Sequence, residues 1–348
     1  MKENAHIIAI PFTGVGLHSG YRGDTWFKHR IEIFKNYTLK SLKNQSNKDF
    51  IIWCWFRPEE AENPLVDEIR DALAQAGLRF IFTFHGLMYH DDKFNDYNLR
   101  TKIRNLFMMV WDMWIYKEWK SPKELWKYTW EDKNKTLLNR LRQALHSVQR
   151  TIGSDYDWVY LTRLDSDDML HKEAVNCIQA SLPEYKKALV FDKGYIYNVI
   201  TKQVAEWNPP TNPPFHTIIF PAGTFFDAHG HKEYYGSFTS HEDIRKVFDC
   251  ETLDVHKYMV SFHGKHISTA WNSDPLRKIK HVAQYGSGDP FRGEEILPKG
   301  YCYTTNGRNI STRWESHLRH EKNSMIGNEF ETQSDREQIL SDFGLAVE

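Results

Sequence analysis

Three short apolar runs, HIIAIPF from His6, IIWCWF from Ile51 and RFIFTF from Arg79, fall within the first 84 residues, and helical patterns separate them. Between the first two, Ile31, Phe34, Leu39 and Leu42 recur at roughly helical spacing across Trp26–Asn44. Between the second and third, PLVDEIRDALAQAG (Pro64–Gly77) opens on Pro and closes on Gly, the residues that favour the first and the post-terminal positions of a helix. A strand–helix–strand–helix–strand order this tight leaves few solutions. Parallel strands need crossovers, and a helix is the usual one, so the pattern predicts βαβ units and an α/β sheet flanked by helices.

The rhythm breaks at Leu99–Glu131, which holds five of the twelve tryptophans, Trp111, Trp114, Trp119, Trp126 and Trp130. Leu106, Met109, Val110, Met113 and Trp114 fall at helical spacing there, which reads as an amphipathic helix packed on the sheet. The other readings are an acceptor-binding lid or a peripheral membrane contact, surfaces that Trp and Met suit. Helix resumes over Asn134–Arg150, WVYLTRL from Trp158 reads as the next strand, and His171–Ser181 reads as a helix that stops before Pro183. Ala188–Trp207 reads as two strands joined by a turn, and NPPTNPP from Asn208 as a linker. From Glu315 to Glu348 eight acidic residues face three basic ones, which predicts a peripheral helix or a partly disordered tail.

Composition excludes several classes. Over 348 residues, 45 Lys and Arg balance 46 Asp and Glu, against the basic excess of a nucleic-acid binder. No window reaches the roughly 18–20 apolar residues of a membrane span. Met1–His6 lacks a signal-peptide plan, so the expected location is cytoplasmic. Cys54, Cys177, Cys250 and Cys302 are far apart, with neither a disulfide framework nor a zinc-ligand spacing.

The chemistry concentrates in Thr162-Arg163-Leu164-Asp165-Ser166-Asp167-Asp168. An apolar strand delivers three carboxylates at its carboxyl end, where open α/β sheets bind ligands. Three close carboxylates repel one another unless a cation offsets them. Mg²⁺ or Mn²⁺, hard ions held by one or two carboxylates plus substrate phosphates, suit such a cluster. A plainer reading makes Asp167 or Asp168 the cap of the helix near His171, worth about 1 kcal/mol, but a cap explains only one of the three. An EF-hand is excluded, because the sixth and twelfth positions counted from Asp165 are Leu170 and Asn176. Arg163 either neutralises the cluster by a salt bridge or holds a phosphate. Arg22 and Arg30 read as phosphate contacts or helix-packing residues, Arg30 more as the latter.

A strand followed by this acidic motif after about 150 residues of βα units resembles the GT-A glycosyltransferases. More narrowly, W-x-x-x-R-x-x-x-F at Trp26–Phe34, S-L-x-x-Q at Ser41–Gln45 and T-R-x-D-x-D-D at Thr162–Asp168 resemble the rhamnosyltransferase family, with the resemblance covering Phe12–Ser181. It implies a GT-A Rossmann-like mixed sheet, a catalytic domain over residues 1–270 with a nucleotide-binding half to 181, and a C-terminal extension over 271–348. It implies a nucleotide-diphosphate sugar as donor, a glycan or glycoconjugate as acceptor, and Mn²⁺ or Mg²⁺ as cofactor. Residue by residue, Asp165 would meet the ribose or the metal, Asp167 would ligate the metal, and Asp168 would do the same or orient sugar hydroxyls. Thr13 and Gly14 in the first βα loop would flank the nucleotide, and Asp92 and Asp96 would reach the base or ribose. Glu242 and Asp243 resemble the acidic pair that supplies a general base, although Ser240-His241-Glu242-Asp243 also reads as a helix cap. His263 or His266 resembles a late metal ligand. The competing classes are a non-catalytic carbohydrate binder on a decayed transferase fold and a metal-dependent nucleotidyltransferase or phosphohydrolase. The first has no need of three costly carboxylates, and the second usually opens with a basic phosphate loop, which Thr13–Gly20 is not.

Overall fold

In a computed structural model of the protein the described residues are 3–12, 23–57, 60–84, 133–199, 202–208, 215–236, 244–253, 256–262, 325–329 and 333–345, with a few positions between 103 and 123. The first apolar runs form β1 (Glu3–Pro11), β2 (Ile51–Trp55) and β3 (Phe80–Thr83), paired in parallel with β1 beside β2 and β2 beside β3. On its other side β1 pairs in parallel with β4 (Tyr156–Arg163). A seven-stranded mixed sheet is completed by β6 (Lys187–Val190), β9 (His216–Pro221) and β10 (Asp249–Thr252), in the order β10-β6-β9-β4-β1-β2-β3, with β9 antiparallel to both neighbours.

Alternation along each strand divides the core between the two faces. Ile8, Ile10, Ile52 and Cys54 point to one side, where α1 (Gly23–Ile33), α2 (Leu39–Lys43), α3 (Pro64–Gln75) and α5 (Ala174–Ala180) add Ile31, Leu42, Ile69 and Ile178. Ile7, Ala9, Trp53 and Trp55 point to the other, where α4 (Lys133–Ile152), α6 (Ala222–Phe226), α7 (Ala228–Tyr235) and α8 (Ile244–Val247) supply Leu145, Val148, Phe225, Tyr234 and Ile244. A sheet covered on both faces explains why β1 and β2 read as unbroken apolar runs. The expected mixed α/β sheet flanked by helices is present.

The α3 ends are built as their sequence implies: the Asn63 side chain accepts the Leu65 amide, Pro64 occupies the first turn, and Gly77 takes φ +69° just past the end. The region between α1 and α2 differs from one continuous helix, because a π-helical turn over Phe34–Thr38 joins them. Ala188–Trp207 also differs from a single hairpin. β6 joins the large sheet, and after Gly194 the chain enters a second sheet as β7 (Gly194–Asn198) and β8 (Gln203–Asn208). That sheet has five strands in the order β12-β8-β7-β11-β5, with β5 (Met169–Leu170), β11 (Tyr258–Phe262) and β12 (Met325–Glu329).

The acidic tail segment is docked. Its helix α9 (Gln333–Asp342) and the following turn bury Leu340, Phe343 and Leu345 in a third cluster with Met169, Tyr197, Val204 and Met259. Gly344 at φ +75° makes this close approach feasible, since a Cβ there would lie 2.7 Å from the Lys40 carbonyl oxygen. Of the apolar stripe in the Trp-rich segment, Leu106 is half-buried and Val110 is 40% exposed, while Met109, Met113 and Trp114 lie outside the described residues; Ile103 and Phe107, off that stripe, are exposed.

Candidate functional site

Strand order reverses at β1. Chain leaving β1 proceeds through β2 and β3 on one side, whereas β4 returns to the opposite side. Such a switch point opens a crevice at the carboxyl ends of the two central strands. Thr162 and Arg163 end β4 there; Arg163 is in register with Ala9 of β1 and His216 of β9, and just beyond the strand the Leu164 amide donates to the Ala9 carbonyl at 3.0 Å. The next residues turn sharply, with the Asp168 amide donating to the Asp165 carbonyl at 3.2 Å.

The three carboxylates then take different surroundings. Asp165 is the most open, its side chain one third exposed, and it accepts from Arg163 Nε and Nη2 at 3.3 and 3.1 Å. Asp167 is buried and forms an ion pair with Arg30, which reaches over from α1. Asp168 is buried too, and its Oδ1 accepts the Ser261 backbone amide of β11 at 3.1 Å. Ser261 also donates through its hydroxyl to the Asp167 carbonyl. Burial, followed by the neighbouring charges of Asp167 and Asp165, raises Asp168 well above the usual carboxylate range, and the Ser261 amide and Arg30 only partly oppose this.

Among the described residues the guanidiniums of Arg30 and Arg163 face these three carboxylates. The oxygen donors of Asp167 and Asp168 are those that Mg²⁺ and Mn²⁺ accept, and a cation beside Asp168 would offset the repulsion that raises it. Among the described residues no three His, Cys, Asp or Glu side chains are gathered to hold an ion. The residues present thus fit a cation taking one or two protein carboxylates, with the remaining ligands from substrate oxygens or water.

Helix capping does not account for the cluster. α5 begins at Ala174, six residues beyond Asp168, and its flanking residue Glu173 gives no side-chain cap; the Val175 amide is taken instead by Gln45 Oε1 at 3.2 Å. Arg30, read from sequence as more a packing residue, belongs to the carboxylate cluster. The sequence reading missed Ser261 as the group holding Asp168, because the contact is made by a backbone amide 93 residues away. It also missed Tyr258, which is buried, pairs directly with Leu170 across the β5–β11 ladder, stacks on Phe215 at 4.3 Å, and has no hydrogen-bond partner for its hydroxyl among the described residues. Thr13, Gly14, Arg22, Asp92, Asp96, Glu242, Asp243, His263 and His266 lie outside the described residues.

No family model matches the chain, and no curated protein matches it. Among solved structures it is similar to S. aureus TarS residues 1–349 at 12% identity and a TM-score of 0.33, a match covering 97% of this chain and 70% of that one. At that distance the ground for the fold is the strand order itself, and the ground for the site is the Asp165–Asp168 turn. No described helix is long and apolar enough to cross a membrane.

Proposed function

We propose that the chain is a metal-dependent glycosyltransferase that moves a sugar, rhamnose by the motif resemblance, from a nucleotide diphosphate to a glycan or glycoconjugate acceptor. The observation that carries this reading is the placement of Asp165, Asp167 and Asp168 on one turn at the switch point of the large sheet, with the last two buried and Asp168 raised by burial and by its carboxylate neighbours. A carbohydrate binder would gain nothing from that arrangement, which costs folding energy.

Sugar transfer from such a donor proceeds through an oxocarbenium-like transition state, while negative charge grows on the departing diphosphate. A bound divalent cation supplies Lewis-acid stabilisation of that leaving group. Asp167 and Asp168 are the carboxylates that would hold it, and His263 is the further ligand suggested by resemblance. Asp165, the exposed member, is assigned the donor ribose hydroxyls, and Arg163 orients its carboxylate through the two hydrogen bonds. Thr13 and Gly14 are assigned to the nucleotide by the same resemblance, and Arg22 is assigned a phosphate. Glu242 or Asp243 is assigned the proton of the acceptor hydroxyl, the step for which an inverting transfer needs a general base. The exposed apolar side chains of Ile103, Phe107 and Val110 support a peripheral contact with the inner face of a membrane, where a lipid-linked acceptor would lie.

A thermal-shift panel of UDP, GDP, dTDP and CMP, with and without Mn²⁺, tests the reading. A ligand bound only by the folded state raises its stability by mass action. One diphosphate should raise the melting temperature only when Mn²⁺ is present. Stabilisation by none, or equal stabilisation with EDTA, refutes a metal-dependent donor site, and release of inorganic phosphate from the bound nucleotide would favour the phosphohydrolase instead.

A further inference from the structure

The two-residue strand β5 leaves the carboxylate turn, and its two edges are satisfied differently. Toward the second sheet, Met169 and Leu170 pair with Met259 and Tyr258 of β11, and the His171 amide donates to the Lys257 carbonyl at 3.0 Å. On its other edge no strand pairs with it among the described residues. There Leu170, two residues after Asp168, gives both of its peptide groups to side chains from α2 and the residues just beyond it. Its amide donates to Ser41 Oγ at 3.2 Å, and its carbonyl accepts from Gln45 Nε2 at 3.3 Å. The same Gln45 nitrogen donates to the His171 carbonyl at 2.9 Å and the Ser41 carbonyl at 3.1 Å, while Oε1 caps the Val175 amide of α5. The Ser41 hydroxyl hydrogen is itself committed, donating to the Thr38 carbonyl at 2.8 Å in the π-helical turn. Gln45 is 2% exposed and Ser41 fully buried, so water cannot replace these partners.

Side chains from the α1–α2 region therefore act as the missing neighbour strand of β5, and Arg30 from the same region pairs with Asp167. We propose that Gln45, with Ser41, is a positioning residue of the carboxylate turn: by fixing the main chain on its exit side it sets where Asp167 and Asp168 stand relative to Ser261 and to an incoming cation and diphosphate. Neither residue touches a carboxylate, so the effect is transmitted through the Leu170 and His171 peptide groups. The inference rests on the reading of the turn as a cation and donor site, but its first consequence, a loosened turn, does not.

The test compares Gln45→Met, which keeps length and burial but removes every hydrogen bond, and Gln45→Glu, which keeps the Val175 acceptor but cannot donate to Leu170 and His171. Val148→Ala, on the opposite face of the sheet, serves as a control of comparable destabilisation. Amide hydrogen exchange is followed over residues 164–171, and Mn²⁺ affinity is measured on each folded protein in the presence of the nucleoside diphosphate that stabilises the wild type. Both Gln45 variants should exchange at least tenfold faster over this stretch and bind Mn²⁺ about tenfold more weakly, while Val148→Ala changes neither beyond twofold. If Gln45→Met does not fold, Gln45→Glu and Ser41→Ala carry the comparison. Unchanged exchange in the Gln45 variants overturns the positioning role. Faster exchange with unchanged Mn²⁺ affinity also overturns it, leaving Gln45 a packing residue. A wild type that binds neither Mn²⁺ nor a nucleoside diphosphate overturns the donor-site reading itself, whatever the exchange shows.

Discussion

Two buried histidines should make this fold acid-labile by a calculable amount. His6 lies at the middle of the large sheet, where Gln179 Nε2 donates to its Nδ1 at 3.2 Å and its Nε2 lies 2.8 Å from the Thr162 hydroxyl. An accepting Nδ1 means that Nε2 carries the proton, so the neutral ring is already matched on both sides. His231 is stacked on Phe220 at 4.7 Å, with its Nδ1 2.9 Å from the Phe225 carbonyl. Burial lowers the two from 6.5 to about 3 and about 4. Both folded values lie below the unfolded one, so the unfolded chain takes up protons first as pH falls. Their stabilising effect is complete above pH 6.5 and is lost as pH drops from there towards the folded values. Lowering the pH from 7.5 to 5 should cost about 2 kcal/mol for each ring, about 4 kcal/mol together, against a total stability of about 5–15 kcal/mol. Urea unfolding followed by tryptophan fluorescence at several pH values between 5 and 7.5 gives the slope. His231→Phe keeps the aromatic stack and should reduce that slope near pH 5 by about 1.2 kcal/mol per pH unit, a difference in which the other sixteen histidines cancel. An unreduced slope in the variant would mean that His231 titrates normally in the folded protein, and the burial argument fails.

Asp168→Asn removes one of two like charges on a buried turn while keeping an oxygen for the Ser261 amide; in EDTA it should stabilise the fold by about 0.5–2 kcal/mol and abolish sugar transfer, and a destabilised variant would show that the charge repulsion is already relieved. Gly344→Val forces a branched side chain into φ +75° against the Lys40 carbonyl, so limited proteolysis should release the tail segment while the remainder resists; an intact tail refutes the docked geometry. Glu242→Gln should lower kcat at least a hundredfold with little change in donor affinity, and an unchanged kcat confines Glu242 to helix capping.

What could be read from the sequence, and what could not, follows the range over which each feature is encoded. β1, β2 and α3 announce themselves because their signals are local: unbroken apolar runs for strands covered on both faces, and Pro64 and Gly77 for the helix ends. The acidic turn was legible for the same reason, since seven consecutive residues specify the strand end and the three carboxylates. The parts that decide what those carboxylates can do are non-local. β5 is only two residues long and has no periodicity to detect; it exists because β11 offers one edge and Ser41 and Gln45, about 125 residues earlier, supply the other. The docking of the tail was hidden by its charge. Eight acidic side chains set its composition, but three apolar ones, Leu340, Phe343 and Leu345, set its place, and they bury against Met169 at the start of β5. The same short strand is thus held by the α1–α2 region, by β11 and by the tail cluster, three elements from distant parts of the chain. A turn that must keep two buried carboxylates near each other pays an electrostatic penalty at every moment, and it stays in place only if its flanks are over-determined. That requirement gives a physical reason for the S-L-x-x-Q pattern to accompany the acidic motif: the helix end and the turn are separate in sequence but form one hydrogen-bonded unit, so neither can change without disturbing the other.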